Sequence, residues 1–210
     1  MKHVSLTYMR ANPITRDGHE KVYNRVLAVR GAEPHIFLST SHDSKKNPLS
    51  PEDKLRFAKK IFKAADVQLV KGGYIEALKK VSPADKVTIV VGGDRVDVIE
   101  TLANKYNHKD FDFGEIKIIN VGGREGDAIS ASKMRELAAE GKQDEFVAQL
   151  SNKLSADEKT EMYQLTRKGM NLEEQTISEA EDLWFYTNSS KKTTDALASW
   201  MNCLEKIKYK

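Results

Sequence analysis

Four short runs rich in branched residues, Val4–Tyr8, His35–Ser39, Val87–Val91 and Ile116–Val121, recur between stretches whose apolar residues fall three and four apart. The runs read as strands, because β-branched and aromatic side chains suit a pleated, covered surface. The stretches between them, roughly 19–30, 51–64, 74–80 and 95–106, read as amphipathic helices; in the second, Leu55, Ala58, Ile61 and Phe62 supply the apolar stripe. Strands that alternate with helices predict crossover connections, and hence a parallel α/β sheet with helices on both faces. Ligands of such sheets bind beyond the carboxyl ends of the strands, where the turns lie.

Those turns hold most of the unusual chemistry of the chain. After the first strand comes Asn12-Pro-Ile-Thr-Arg-Asp-Gly-His19, a strand-to-helix turn whose unpaired backbone N–H groups, Asn12 and Gly18 among them, suit an anion. Thr15 and His19 add side-chain donors. After the second comes the polar Ser39–Pro48, with His42, Lys45 and Lys46; after the third, Gly92-Gly-Asp-Arg95; after the fourth, Gly122-Gly-Arg-Glu-Gly126. Ile129-Ser-Ala-Ser-Lys-Met-Arg135 then opens another helix, with Ser130 or Ser132 as N-cap, and this helix start is a second anion site.

Composition narrows the partners. Charged residues at 31% and hydrophobic ones at 40% fit a folded globular chain, and no apolar run approaches the roughly 20 residues of a spanning helix. Met1–Tyr8 reads as a strand with no signal-peptide core, so a cytoplasmic setting is expected. Cys203 is the single cysteine, which excludes an intramolecular disulfide and a cysteine zinc cluster. A balance of 34 basic and 31 acidic residues, net +3, is too even for a duplex-binding surface. The basic pairs Lys45-Lys46, Lys59-Lys60, Lys79-Lys80 and Lys191-Lys192 are interleaved with no aromatics, so nucleic acid is not an expected partner. His3, His35 and His108 lack metal-ligand spacing.

From about Ser151 the pattern turns wholly helical. The expected organisation is an α/β domain over 1–150 and a helical extension over 151–210. Ser155 with Glu158 forms a capping box, and Gly169 is expected to end that helix. Leu183, Trp184, Phe185, Leu197, Trp200, Met201 and Leu204 supply apolar surface for two tail helices separated by 187–192, which is compatible with packing on the sheet or with a homo-oligomer.

Together, Thr15, His19, Lys46, Asp94 and Ser130–Arg135 fit nucleotidyl transfer from a triphosphate. The acceptor phosphate is already an anion and pyrophosphate leaves readily, so alignment and charge stabilisation suffice without a protein nucleophile. His19 would donate to α-phosphate oxygens, Arg135 and Ser132 would grip the β- and γ-phosphates, and Lys46 would act as a point charge. Mg²⁺ would enter with the nucleotide, with no protein metal cage. Asp94 reads either as a ribose acceptor or as a helix cap. Gly92 reads as a site of close backbone approach or of positive φ, and Arg124 as a reader of a base edge or as a partner of Glu125.

The paired motifs Asn12-Pro-Ile-Thr…Gly-His19 and Ile129-Ser-Ala-Ser-Lys-Met-Arg135 resemble the signatures of the cytidylyltransferase-like nucleotidyltransferases. Ser44–Lys54, Val90–Arg95 and Lys105-Tyr-Asn107 further resemble members of that group in tailed bacteriophages, for which the setting would be the host cytoplasm. The likeness covers about residues 1–170 and not the tail. It implies a Rossmann-like α/β/α nucleotidyltransferase fold, Mg²⁺, and transfer of AMP or CMP from a nucleoside triphosphate to a small phosphorylated acceptor such as nicotinamide mononucleotide. It assigns roles to Thr15, His19, Asp94, Ser130, Ser132 and Arg135. The turn departs from the family pattern by one extra residue, since both Arg16 and Asp17 precede Gly18-His19, and Tyr8-Met-Arg10 replaces an opening glycine. Those departures keep open a nucleotide-binding or assembly protein that retains the fold with weakened catalysis.

Overall fold

Every strand runs parallel to its neighbours, so all their carboxyl ends, and the turns that follow, open on one edge. A computed structural model describes residues 1–92, 95–122 and 129–172 of the chain. Five strands, β1 (His3–Met9), β2 (Glu33–Ser39), β3 (Asp66–Val70), β4 (Ala84–Val91) and β5 (Phe113–Asn120), stand in the order β3-β2-β1-β4-β5. Seven α-helices are described: α1 (Lys21–Leu27), α2 (Pro51–Ile61), α3 (Tyr74–Val81), α4 (Val96–Tyr106), α5 (Ala131–Ala139), α6 (Gln143–Ala148) and α7 (Ala156–Gly169). This is a Rossmann-like α/β sheet, as the strand–helix alternation predicts.

Two apolar layers hold it. On one face Tyr23 and Val26 of α1, Phe57 and Ile61 of α2, Met134 of α5, Phe146 of α6 and Met162 of α7 share a cluster with Met9, Ile36, Leu38 and Val90. On the other, Tyr74 and Leu78 of α3 and Ile99 of α4 pack with Leu6, Phe37, Val87 and Phe113. Alternation along β2 sends Ile36 and Leu38 to one layer and Phe37 to the other. All three are fully buried, each a contribution of about 1.5–3 kcal/mol.

The third strand is absent from the sequence reading. Asp66–Val70 pairs only with β2 and carries Asp66 and Gln68, so it is a short edge strand without a continuous apolar run. Helix α1 ends at Leu27, short of the expected 30, and Gly31 at φ 70° turns the chain into β2. Helix α2 and its C-cap bury Ala58, Ile61 and Phe62 as expected, with Leu55 half-buried against them, and the buried face also takes in Lys54 and Phe57.

The compact unit runs from Met1 to Leu172. Helix α7, expected in the extension, therefore packs into the sheet domain's own core through Met162 and Tyr163. The Arg56 guanidinium also grips the Glu161 carboxylate in a fork at 2.8 and 2.9 Å, joining α2 to α7. The Ser155–Glu158 capping box is present as expected. The helix ends at Gly169 as expected, though not through a left-handed glycine. Asn171 takes that conformation at φ 59°, and Gly169 lacks a side chain because a Cβ there would collide with the Pro48 carbonyl oxygen. The expected tail helices, with Trp184, Trp200 and Cys203, lie outside the described residues, as do Asp94 and Arg124.

Candidate active site

The chain runs from β1 outward to β2 and β3, then returns to β4 and β5 on the other side, so the direction reverses between β1 and β4. Ladder pairing between them stops at Leu6–Ile89, although β1 continues to Met9 and β4 to Val91. The two strands part at their carboxyl ends and open a crevice at the topological switch point, the ligand position of open parallel sheets.

The Asn12–His19 turn emerges at this crevice. Its extra residue is absorbed by a π-helical turn over Arg16–Glu20, in which the Glu20 N–H donates to the Thr15 carbonyl at 3.4 Å alongside the His19 N–H at 3.1 Å. Single-residue insertions in helices take this wide form, often at functional sites. The widened turn keeps Thr15 and His19 in contact. The Thr15 N–H donates to His19 Nδ1 at 3.0 Å, and the Thr15 hydroxyl lies at the same distance. Gly18 fits beneath them because a Cβ would come within 2.7 Å of Thr15 Oγ1. Asp17, which would repel phosphate if it faced inward, pairs with Arg16 at 3.3 Å on the surface.

The second motif meets the first at its opening residue. Arg135 of α5 donates from Nη1 to the Asn12 carbonyl at 2.9 Å and from Nη2 to Ser132 Oγ at 3.0 Å. His19 and Arg135 are thus anchored at the two ends of one segment, Asn12–Thr15. Ser130 is the N-cap of α5; its hydroxyl accepts from the Lys133 N–H at 2.9 Å. The buried Asn12 side chain bonds both backbone groups of Leu49, accepting at 2.8 Å and donating at 3.3 Å, so it ties the first turn to the one after β2.

That second turn is clasped by Asp43. Its carboxylate accepts from the Asn47 side chain at 2.5 Å and from the Lys46 and Lys45 N–H groups at 2.7 and 3.0 Å. The Asn47 bond first, then those amides, hold it down at about 2. Lys46 is exposed, with its side chain in no described contact with Thr15, His19 or Arg135. Gly92 lies where β4 leaves the sheet, its carbonyl accepting from the Arg95 N–H at 3.1 Å.

Two cations unmarked by the sequence reading stand here. Arg10 acts on Arg135 electrostatically, and burial, Arg10 and the opposing pull of Asp43 set a net downward shift of Arg135, burial being the largest cause. A half-buried guanidinium beside a second arginine is an anion receptor in charge terms. Lys54 is fully buried on α2, where Nζ donates to the carbonyls of Ser39 and Ser41 at 2.6 and 2.9 Å. Burial pushes it down to about 8. Its signal was legible: a lysine in phase with Phe57, Ala58 and Ile61. Among the described residues no three His, Cys, Asp or Glu side chains converge as a metal cage.

No protein-family model and no curated protein matches the chain. Solved structures do. The crystal structure of a bifunctional NMN adenylyltransferase/ADP-ribose pyrophosphatase from Francisella tularensis aligns with a TM-score of 0.52 at 16% identity, over 89% of this chain and 56% of that one. A second crystal structure of such an enzyme from the same organism, complexed with AMP and an Mn ion, gives 0.52 at 15% identity, over 89% and 55%. The chain spans little more than half the length of these neighbours. The likeness establishes the fold, a Rossmann-like α/β sheet shared with nucleotidyltransferases. No helix among the described residues is long and apolar enough to cross a membrane.

Proposed function

We propose that this chain is a nucleotidyltransferase that moves an AMP or CMP group from a nucleoside triphosphate to a small phosphorylated acceptor, such as nicotinamide mononucleotide, and releases pyrophosphate. The observation that carries the reading is the anchoring of His19 and Arg135 at opposite ends of Asn12–Thr15, beside the crevice between β1 and β4. An acceptor phosphate oxygen attacks the α-phosphorus in line, the bond to the β-phosphate oxygen breaks, and pyrophosphate departs with its electron pair. His19 Nε2–H stabilises charge on the α-phosphate oxygens, while Arg135 and Ser132 hold the β- and γ-phosphates. The helix start at Ser130 and the amides of the Asn12–Gly18 turn add donors.

A magnesium ion would enter with the nucleotide, carried mainly by triphosphate oxygens and water. The AMP and Mn ion in the second neighbour support an adenylyl donor and a divalent ion. Lys46, Asp94 and Arg124 complete the proposed nucleotide contacts.

Pyrophosphate release, measured with ATP or CTP, Mg²⁺ and a panel of phosphorylated acceptors, tests the reading. Turnover that requires one triphosphate and one acceptor supports it. Nucleotide binding without release under any pairing rejects it in favour of a binding or assembly protein on the same fold, the reading that the extra residue of the Thr15–His19 turn favours.

A further inference from the structure

Parallel sheets normally bury both faces. Here the apolar α1-side layer, with Ile36, Leu38 and Val90, gives way on β1, β4 and β5 to His3, Lys86, Thr88 and Lys117. These side chains, with Arg25 and Arg30 at the end of α1, line a cavity of about 260 Å³. His3 Nε2 and Thr88 Oγ1, 2.9 Å apart, fix its floor. No lining residue is acidic. Glu115, on β5 beside Lys86, bonds it at 2.6 Å and is held low by Lys86 first, with Lys117 and His3 adding to the effect. One carboxylate thus faces four permanent cations, and Arg25 and Arg30 make no hydrogen bond or ion pair among the described residues.

Cations clustered around one notch raise the local positive potential and favour an anion among them. A volume of 260 Å³ equals that of on the order of eight waters, room for a diphosphate and too little for a folded chain. Six steps of β1 lead from His3 to Met9, about 20 Å, so the His3 floor of the notch stands well apart from the Asn12–His19 turn. We infer that this notch is a second, separate binding site for a compact phosphate polyanion, gripped by Arg25, Arg30 and Lys117, with the Thr88 hydroxyl as a neutral donor. The ligand is either a free inorganic polyphosphate or a small metabolite bearing a diphosphate.

Calorimetric titration of the full chain with inorganic pyrophosphate, and separately with ADP, tests this. The titrations use wild type, Arg135→Ala, Arg25→Gln/Arg30→Gln and Lys117→Gln, with melting temperatures recorded for each. The expected result is one saturable site kept in Arg135→Ala, weakened about tenfold per arginine removed and weakened further by added salt. Tighter binding of pyrophosphate than of ADP identifies inorganic polyphosphate as the source, and the reverse identifies the metabolite. Because Lys117→Gln alters an exposed strand side chain, it gives an independent reading if the double variant melts early. No saturable binding, binding lost in Arg135→Ala yet unchanged in the arginine double variant, or capture of single-stranded DNA that pyrophosphate fails to displace overturns the inference.

Discussion

The backbone N–H of Thr15 donates to Nδ1 of His19 at 3.0 Å. A ring nitrogen that accepts carries no proton, so the neutral imidazole bears its hydrogen on Nε2. The second motif reaches the same segment through the Arg135–Asn12 bond. The main chain of Asn12–Thr15 therefore sets the tautomer of His19 and the position of Arg135.

Replacing His19 with alanine removes the proposed donor to the transferring phosphate. Turnover in pyrophosphate release is expected to fall about 100- to 1000-fold, with a smaller change in KM. Unchanged kcat removes His19 from the chemistry.

Gly18 and Thr15 are coupled by space. Gly18→Ala forces the Thr15 side chain aside, since its Cβ would sit 2.7 Å from Oγ1, and turnover is expected to fall at least about tenfold by displacing His19. In a Thr15→Ala background the same change should cost little. Equal losses in both backgrounds contradict the packing argument.

Arg135 bonds two groups through two nitrogens, a fork that an ammonium lacks. Arg135→Lys is expected to raise KM for the triphosphate about 10- to 100-fold while helix content by circular dichroism stays unchanged. A KM equal to that of wild type counts against a β,γ-phosphate grip.

Burial lowers Lys54 from 10.5 to about 8. Between those values the unfolded chain holds a proton that the folded chain has released, so raising the pH across this window stabilises the fold through Lys54, by roughly 3 kcal/mol at most. Below about 8 both states are charged and the cost of burial is constant. In Lys54→Met this contribution is gone, so the difference in urea-unfolding free energy between wild type and variant should widen in favour of wild type from pH 8 to 10.5. A difference independent of pH contradicts the buried-ammonium assignment.

Gly169→Ala drives a methyl into the Pro48 carbonyl, and α7 or the turn after β2 must shift. The expected loss is about 1–3 kcal/mol by urea unfolding. A stabilising effect, as expected for alanine in an unhindered helix, contradicts the close approach.

Much of this was legible in the sequence. Four strands announce themselves because β1, β2 and β4 lie inside the sheet and β5 keeps branched residues, whereas β3 pairs on one side only and tolerates Gln68. The Ser130 cap and the Ser155–Glu158 box are local rules and emerge as read. Of the site, the meeting of the two motifs follows from where parallel strands end. Three features do not follow from local pattern. Asn12 is spent on Leu49, Gly169 answers to Pro48, and Lys54, whose burial shows in its phase, holds two carbonyls that its phase does not name; each depends on a partner outside its own element. The extra residue between Thr15 and Gly18 reads as a break in a motif, yet the π turn absorbs it without separating Thr15 from His19.

The central claim is that His19 and Arg135 hold one polyphosphate chain. Nitrogen-15 NMR of the full chain, with α,β-methylene ATP and Mg²⁺ added in steps, reports on both side chains at once. Expected are an Nε2–H tautomer of His19 in the free protein, then concerted shifts of its Nε2 and of the Arg135 guanidinium that saturate at the same nucleotide concentration. A shift of only one of the two, or saturation at different concentrations, contradicts the claim.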